Sequence, residues 1–371
     1  MQNRYFRQSL LGWNARDNTR RMPWKGIKDP YKIWLSEVIL QQTRVEQGRE
    51  YYERFVNEFP LIGDLASAPE ERIFKLWEGL GYYSRCKNLI HTARYIAREL
   101  DGQFPSAFPD ILALKGVGPY TAAAIASFAF DLPHAVVDGN VLRVLSRFFG
   151  VSDPIDSTRG KALLTDLAEK CLDTSDPAGY NQGLMDFGAT VCKPLNPLCD
   201  SCPLQSKCVA YVQGKVDLLP VKGKKLIRKD RYFLFLVAEY EGGVYVRKRV
   251  GKDIWQNLYE FINCELPVAP HDDAALRDAL LTDDTHLIRL PWLPQVLGHS
   301  SYKIVGLSPA FRQLLTHQRV QARFLHVSLE RPIGEPDGFD RVGGKELSAL
   351  AFPRLLNDYL SASPLVFLRK N

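Results

Sequence analysis

Leu114-Lys115-Gly116-Val117-Gly118-Pro119 breaks a run of helically spaced apolar residues, and residues 111–130 around it read as helix, tight turn, helix. Gly116 and Gly118 allow backbone geometry closed to other residues. Pro119 suits the first turn of the second helix, where a missing N–H costs nothing. Open N–H groups at a helix N-terminus form an anion site, and a nucleic-acid phosphate would suit it. A plain αα-hairpin would carry the same residues, so the chain downstream matters. There, Pro133-His134-Ala135-Val136-Val137-Asp138-Gly139-Asn140-Val141 sets an acid beside a glycine in a loop that opens a further helix. The bland alternative is that Asp138 or Asn140 only caps that helix.

Upstream, Trp34-Leu35-Ser36-Glu37-Val38-Ile39-Leu40-Gln41-Gln42-Thr43 holds one acid among large apolar side chains. Ile33 and Leu40 lie four before and three after Glu37, on its own helix face. Burial is expected there. It would favour the neutral carboxyl and suit Glu37 to general-acid work near neutral pH. A buried glutamate paired with an arginine is the alternative.

Downstream, four of the chain's seven cysteines fall in one segment, Cys192-x6-Cys199-x2-Cys202-x5-Cys208. Four thiolates so close in sequence can hold one compact centre, either tetrahedral zinc or a [4Fe–4S] cluster. Zinc sites usually show two separated CxxC or CxxH pairs. Here there is one CxxC, and no histidine lies between His134 and His271. Four unrelated buried thiols remain a third reading. Cys86, Cys171 and Cys264 are isolated and read as core thiols.

At 371 residues, two domains are the natural expectation. Residues 1–212 read as all-helical, with patterns at 31–42, 69–77, 85–100, 120–130, 140–149 and 180–192. Residues 213–228 read as a basic linker. The stretch from Lys215 to Arg231 carries five of the chain's net +6 charges, so the rest is nearly neutral and any DNA contact must come from placed groups. A solvated linker explains the same run. Residues 229–371 change texture. Strands are expected near 232–237, 244–246 and 323–329, and helices near 272–281 and 345–360, which makes an α+β domain. No signal peptide is read at Met1–Gln8, and no apolar run nears the roughly 20 residues of a membrane span. A cytoplasmic, nucleoid-associated monomer without membrane contact is expected.

The cysteine spacing resembles the cluster motif of the endonuclease III/MutY superfamily, which implies a [4Fe–4S] cluster. It also implies that Lys193, in the loop the cysteines enclose, faces a DNA phosphate. A hairpin followed by an aspartate resembles the helix–hairpin–helix glycosylases, where the aspartate faces a flipped nucleotide. With Gly79-Leu80-Gly81-Tyr82-Tyr83-Ser84-Arg85, the motifs look like those of MutY-type adenine DNA glycosylases across residues 20–208. That likeness implies Glu37 protonating adenine, Asp138 stabilising the sugar cation, and Tyr120 and Asn140 supporting both. Gln42 and Tyr82 would wedge into the base stack, and Trp24, in a Met-Pro-Trp that departs from the family's Leu-Pro-Trp, would line the base pocket. Trp24 and Tyr82 also suit an ordinary aromatic core. Two carboxyls in unlike settings match N-glycosidic cleavage, which needs a proton on the leaving base and an anion near the sugar.

Lyases of the superfamily carry a lysine where this chain has Tyr120, so hydrolysis without strand cleavage is expected. Thymine or pyrimidine mismatch glycosylases can also have tyrosine there. A non-catalytic iron–sulfur DNA-binding protein is the reading from another class. The second domain resembles the Nudix-like module that reads 8-oxoguanine in these enzymes. Residues 255–261 look like its Leu-Trp-Glu-Phe segment and Leu315-Thr316-His317 like its Phe-Ser-His loop, which would give Thr316 and His317 that role; a polar loop is the alternative. Residues 274–280 lack the glutamates of a Nudix hydrolase helix, so no phosphohydrolase activity is expected. The implied substrate is double-stranded DNA with A:8-oxoguanine or A:G mispairs.

Overall fold

The computed structural model describes residues 1–223, 227–266, 296–297, 301–333 and 338–363. It divides into two compact units: Met1–Ala68 with Ser84–Lys225, and Pro69–Tyr83 with Leu226–Asn371.

The first unit is helical. Its helices are α1 (Gln2–Arg16), α2 (Pro30–Leu40), α3 (Val45–Glu58) and α4 (Ile62–Ser67), then α6 (Tyr83–Glu99, entered from the other unit at Tyr83), α7 (Phe108–Ala113) and α8 (Pro119–Phe130). They continue with α9 (Gly139–Phe149), α10 (Thr158–Cys171), α11 (Pro177–Thr190) and the short α12 (Val209–Val212). The intervening α5 (Glu70–Trp77) belongs to the second unit.

Capping explains where the key helices begin. Asp29 accepts from the Tyr31 and Lys32 amides, and Pro30 fills the first position of α2. Tyr31 and residues 33–39 of α2 are buried and only Lys32 between them is half-exposed, so this mostly apolar helix runs through the core. It stops at Leu40, short of the expected Gln42. The Arg85 guanidinium collects the terminal carbonyls of Val38, Ile39 and Gln41 at 2.8, 2.9 and 2.6 Å, and Gln42 turns left-handed at φ 57°. Those carbonyls have no partner within the helix, so a buried cation there satisfies them and sets the break. A second apolar cluster, including Phe6, Trp13, Phe148 and Phe187, joins α1, α9, α10 and α11.

The second unit is a mixed sheet with helices. Its described strands are β1 (Lys229–Tyr240), β2 (Gly243–Lys248), β3 (Tyr259–Leu266), β4 (Tyr302–Leu307), β5 (Phe311–Leu314), β6 (Gln318–Leu329) and β7 (Asp340–Gly343). The order is β4-β6-β1-β3-β2-β7, with β5 added on β6; β1 and β6 run parallel and the other pairs antiparallel. β1 is buried on both faces. Leu234, Leu236 and Ala238 enter one core, while Phe235 stacks on Phe324 in an aromatic layer with Phe261 and Tyr359. The helix expected at 345–360 is two, α13 (Gly344–Ala349) and α14 (Arg354–Ala362). Pro353 caps the second and drives the residue before it out of helical geometry. The helix expected at 272–281 lies outside the described residues.

Candidate active site

The hairpin forms from α7, the Leu114–Gly118 turn and α8. Only one of its two glycines needs to be glycine for backbone reasons. Gly116 sits at φ 81°, and a Cβ there would meet Asn88 at 2.7 Å, whereas Gly118 has an ordinary φ of −97° as the N-cap of α8. Tyr120 follows in the first turn of α8 and points its hydroxyl inward. It donates to Glu37 Oε2 at 2.7 Å.

Glu37 is 6% exposed, as its apolar neighbours demand. Burial pushes its carboxyl up to about 7 and the nearby Asp138 charge adds to this, while the Tyr120 hydrogen bond opposes both. No arginine pairing of Glu37 is found among the described contacts; its partner is the tyrosine. Its side chain lines a cavity of about 150 Å³ with Trp24, Lys25, Ile33, Ser36 and Gln182, on the scale of cavities that admit one planar ring. Trp24 is buried edge-on to Tyr52, so it both packs and lines the cavity.

Asp138 caps α9, with Oδ1 accepting from the Val141 amide at 2.7 Å and Oδ2 from Asn140 Nδ2 at 2.7 Å. Burial raises its pKa, while those hydrogen bonds and the Arg143 charge pull it back. Arg143 carries the network on. It donates to Asn140 Oδ1 at 2.9 Å, Gly188 O at 2.7 Å and Cys192 O at 2.9 Å. One turn later on α9, Arg147 donates to Lys193 O at 2.7 Å and lies 3.6 Å from Cys192 Sγ.

Cys192, Cys199, Cys202 and Cys208 all line one small cavity with Arg147 at its wall. Among the described residues no three metal-ligating side chains close in tightly enough for a single ion. Lys193 is half-buried beside them in the exposed 194–196 loop. Gln42 and Tyr82 are both exposed and both left-handed, at φ 57° and 48°. In the second unit the β5–β6 turn carries Thr316 and the exposed His317. Thr316 Oγ1 lies 2.5 Å from the Tyr82 hydroxyl, and His317 O accepts from the Lys229 amide. No described helix is long and apolar enough to cross a membrane.

Sequence reasoning missed a polar knot beside the cavity. Asp186 is fully buried on α11 and accepts from Asn18, Arg20, Lys25 and Gln182. The i,i+4 spacing of Gln182 and Asp186 was the available signal, but it also describes any solvated helix face. Arg85, Arg143 and Arg147 were missed for the same reason, since a buried arginine looks like a surface one in sequence.

Residues 35–170 match the model of the HhH-GPD superfamily base excision DNA repair proteins. The adenine DNA glycosylase of Buchnera aphidicola subsp. Schizaphis graminum is 36% identical over 263 residues, covering 71% of this chain and 76% of that protein. That of Mus musculus is 43% identical over 227 residues, 58% of this chain and 44% of its own. A solved thermostable thymine-DNA glycosylase aligns at TM-score 0.53 and 30% identity, covering 57% of this chain and 97% of that one. The chain therefore belongs to the adenine DNA glycosylase family, enzymes of base excision repair within the helix–hairpin–helix superfamily.

Proposed function

We propose that this adenine DNA glycosylase hydrolyses the bond to adenine mispaired with 8-oxoguanine or guanine, with Glu37 as general acid and Asp138 as the anion facing the sugar. The carrying observation is the pair of buried carboxyls with unlike partners. Glu37 is held in apolar surroundings that keep its proton near neutral pH, and Asp138 is held by donors that favour its charge. Glu37 gives its proton to the base, and the breaking C–N bond leaves its electron pair there. The sugar gains oxocarbenium character, which Asp138 stabilises or transiently bonds until water adds and loses a proton. Tyr120 offers no amine for a Schiff base, so the strand stays intact.

The remaining roles follow the same reading. Gln42 and Tyr82 fill the stack when adenine is flipped into the cavity beside Trp24. The Gly116–Gly118 turn and Lys193 hold phosphates. Thr316 and His317 read the 8-oxoguanine, and the enzyme works as a monomer. Cys192, Cys199, Cys202 and Cys208, which line one cavity, would hold a [4Fe–4S] cluster, whose four-thiolate ligation this all-cysteine set can supply. When bound, it supplies a four-thiolate cross-link of the 192–208 segment.

One assay tests the core of this. Duplexes holding A:8-oxoguanine, A:G, T:G or thymine glycol are incubated with the enzyme and with Asp138→Asn. Adenine released from the first two and lost in the variant is expected. Thymine release, or undiminished adenine release by the variant, overturns it. Visible absorbance with iron and acid-labile sulfide analysis tests the cluster.

A further inference from the structure

The second unit contains a short stretch far from its other residues in sequence, Pro69–Tyr83, with Tyr82 next to its end. Two fastenings hold it. At the end of α5, Lys75 Nζ donates to Glu78 Oε2 at 2.8 Å and to Leu350 O at 2.9 Å. Glu78 Oε1 accepts from the Phe352 amide at 2.7 Å. Between those two anchor points the Tyr259 amide donates to Ala351 O, and buried Phe352 stacks on Phe261 of β3. Lys75 and Glu78 thus grip a segment that is itself built into the sheet. At the other end, the Tyr82 hydroxyl meets Thr316 Oγ1.

The residues between are a tight turn. Gly79, Gly81 and Tyr82 all have positive φ, and the Trp77 indole closes the turn on Gly81 O at 3.0 Å. The Trp77 bond ties the end of α5 to the residue just before Tyr82, so the anchor at Lys75 and Glu78 bears on where the Tyr82 hydroxyl lies. A hydrogen bond tolerates only a few tenths of an ångström before it weakens.

We propose that Lys75 and Glu78 are positioning residues for lesion discrimination: their grip on residues 350–352 holds the Gly79–Tyr83 turn so that Tyr82 and Thr316 act as one reading pair. This rests on the reading of Thr316 as an 8-oxoguanine contact. Neither Lys75 nor Glu78 touches the reacting atoms, so the chemistry of excision is untouched by their loss.

The test compares single-turnover adenine release from A:8-oxoguanine and A:G duplexes by the full chain and its Glu78→Met, Lys75→Met, Glu78→Gln and Thr316→Val variants. The ratio of the two rates cancels any loss of folded enzyme. Glu78→Met and Lys75→Met each lower the ratio about fivefold, on the order of one ordinary hydrogen bond. Glu78→Gln keeps an oxygen for the Phe352 amide and restores most of the ratio. Adding Thr316→Val to Glu78→Met lowers it no further than Thr316→Val alone. An unchanged ratio, or equal loss on both duplexes, while Thr316→Val does lower it, overturns the positioning role and spares the 8-oxoguanine reading. An unchanged ratio in Thr316→Val itself overturns that reading and this inference with it.

Discussion

Glu37 and Asp138 are both carboxyls drawn out of water, and burial raises both, but the groups set against that burial differ. Around Glu37 the one hydrogen bond set against burial is that from the Tyr120 hydroxyl, so burial dominates and the acid keeps its proton to about pH 7. Around Asp138 the start of α9 offers an amide N–H, the Asn140 amide and the charge of Arg143, each of which favours the anion against burial. Helix interior versus helix cap is thus enough to give one residue type two jobs.

The comparison can be broken most severely at the acid. Glu37→Gln should lower single-turnover adenine release by on the order of 10²–10⁴-fold at pH 7 while mismatch binding, read by gel shift, survives. Asp138→Asn should lower release on the order of 10²–10³-fold. Because asparagine still accepts from the Val141 amide, its thermal midpoint should stay near the parent's, whereas Asp138→Ala should cost about 1 kcal/mol more through the lost cap. Arg143→Met strips the donor from four acceptors, the Gly139, Gly188 and Cys192 carbonyls and Asn140 Oδ1. Chemical denaturation should show a loss of about 2–3 kcal/mol, and release should slow as the Asp138 anion is disfavoured.

The smaller effects sharpen the contrast. The active form of Glu37 is protonated, so the rate should fall tenfold per unit above about pH 7. Tyr120→Phe removes the one contact that lowers Glu37, so this limb should move to higher pH in the rate profile. Stability should follow the same group. The folded pKa of Glu37 lies above its usual 4.5, so its contribution is whole below that value and lost as pH rises through about 7. Glu37→Gln does not titrate. Its urea midpoint should therefore gain on the parent's between about pH 5 and 8, and the gap should close on acidification.

What could be read in the sequence was what is local. The Gly116–Pro119 turn, the Asp138 cap, the apolar frame of Glu37 and the cysteine spacing each fit within about twenty residues, and their backbone or burial demands leave marks there. The partners of these groups were hidden. Asp186 sits more than 150 residues from Asn18, Arg20 and Lys25, and nothing in either stretch announces the other. Arg85 ending α2 and α5 joining the sheet unit are likewise long-range facts. Tyr120 shows the middle case: its position was legible, but not that its hydroxyl tempers the acid.

The left-handed backbones of Gln42 and Tyr82 bear on how this enzyme tolerates change. A non-glycine residue there gives up about 1 kcal/mol that glycine or asparagine would largely recover. Selection for thermal robustness alone would push both positions toward those two residues, erasing the side chains proposed above to enter the base stack. A thermostability library screened without DNA should therefore drift at Gln42 and Tyr82 first, producing sturdy proteins that no longer open a duplex.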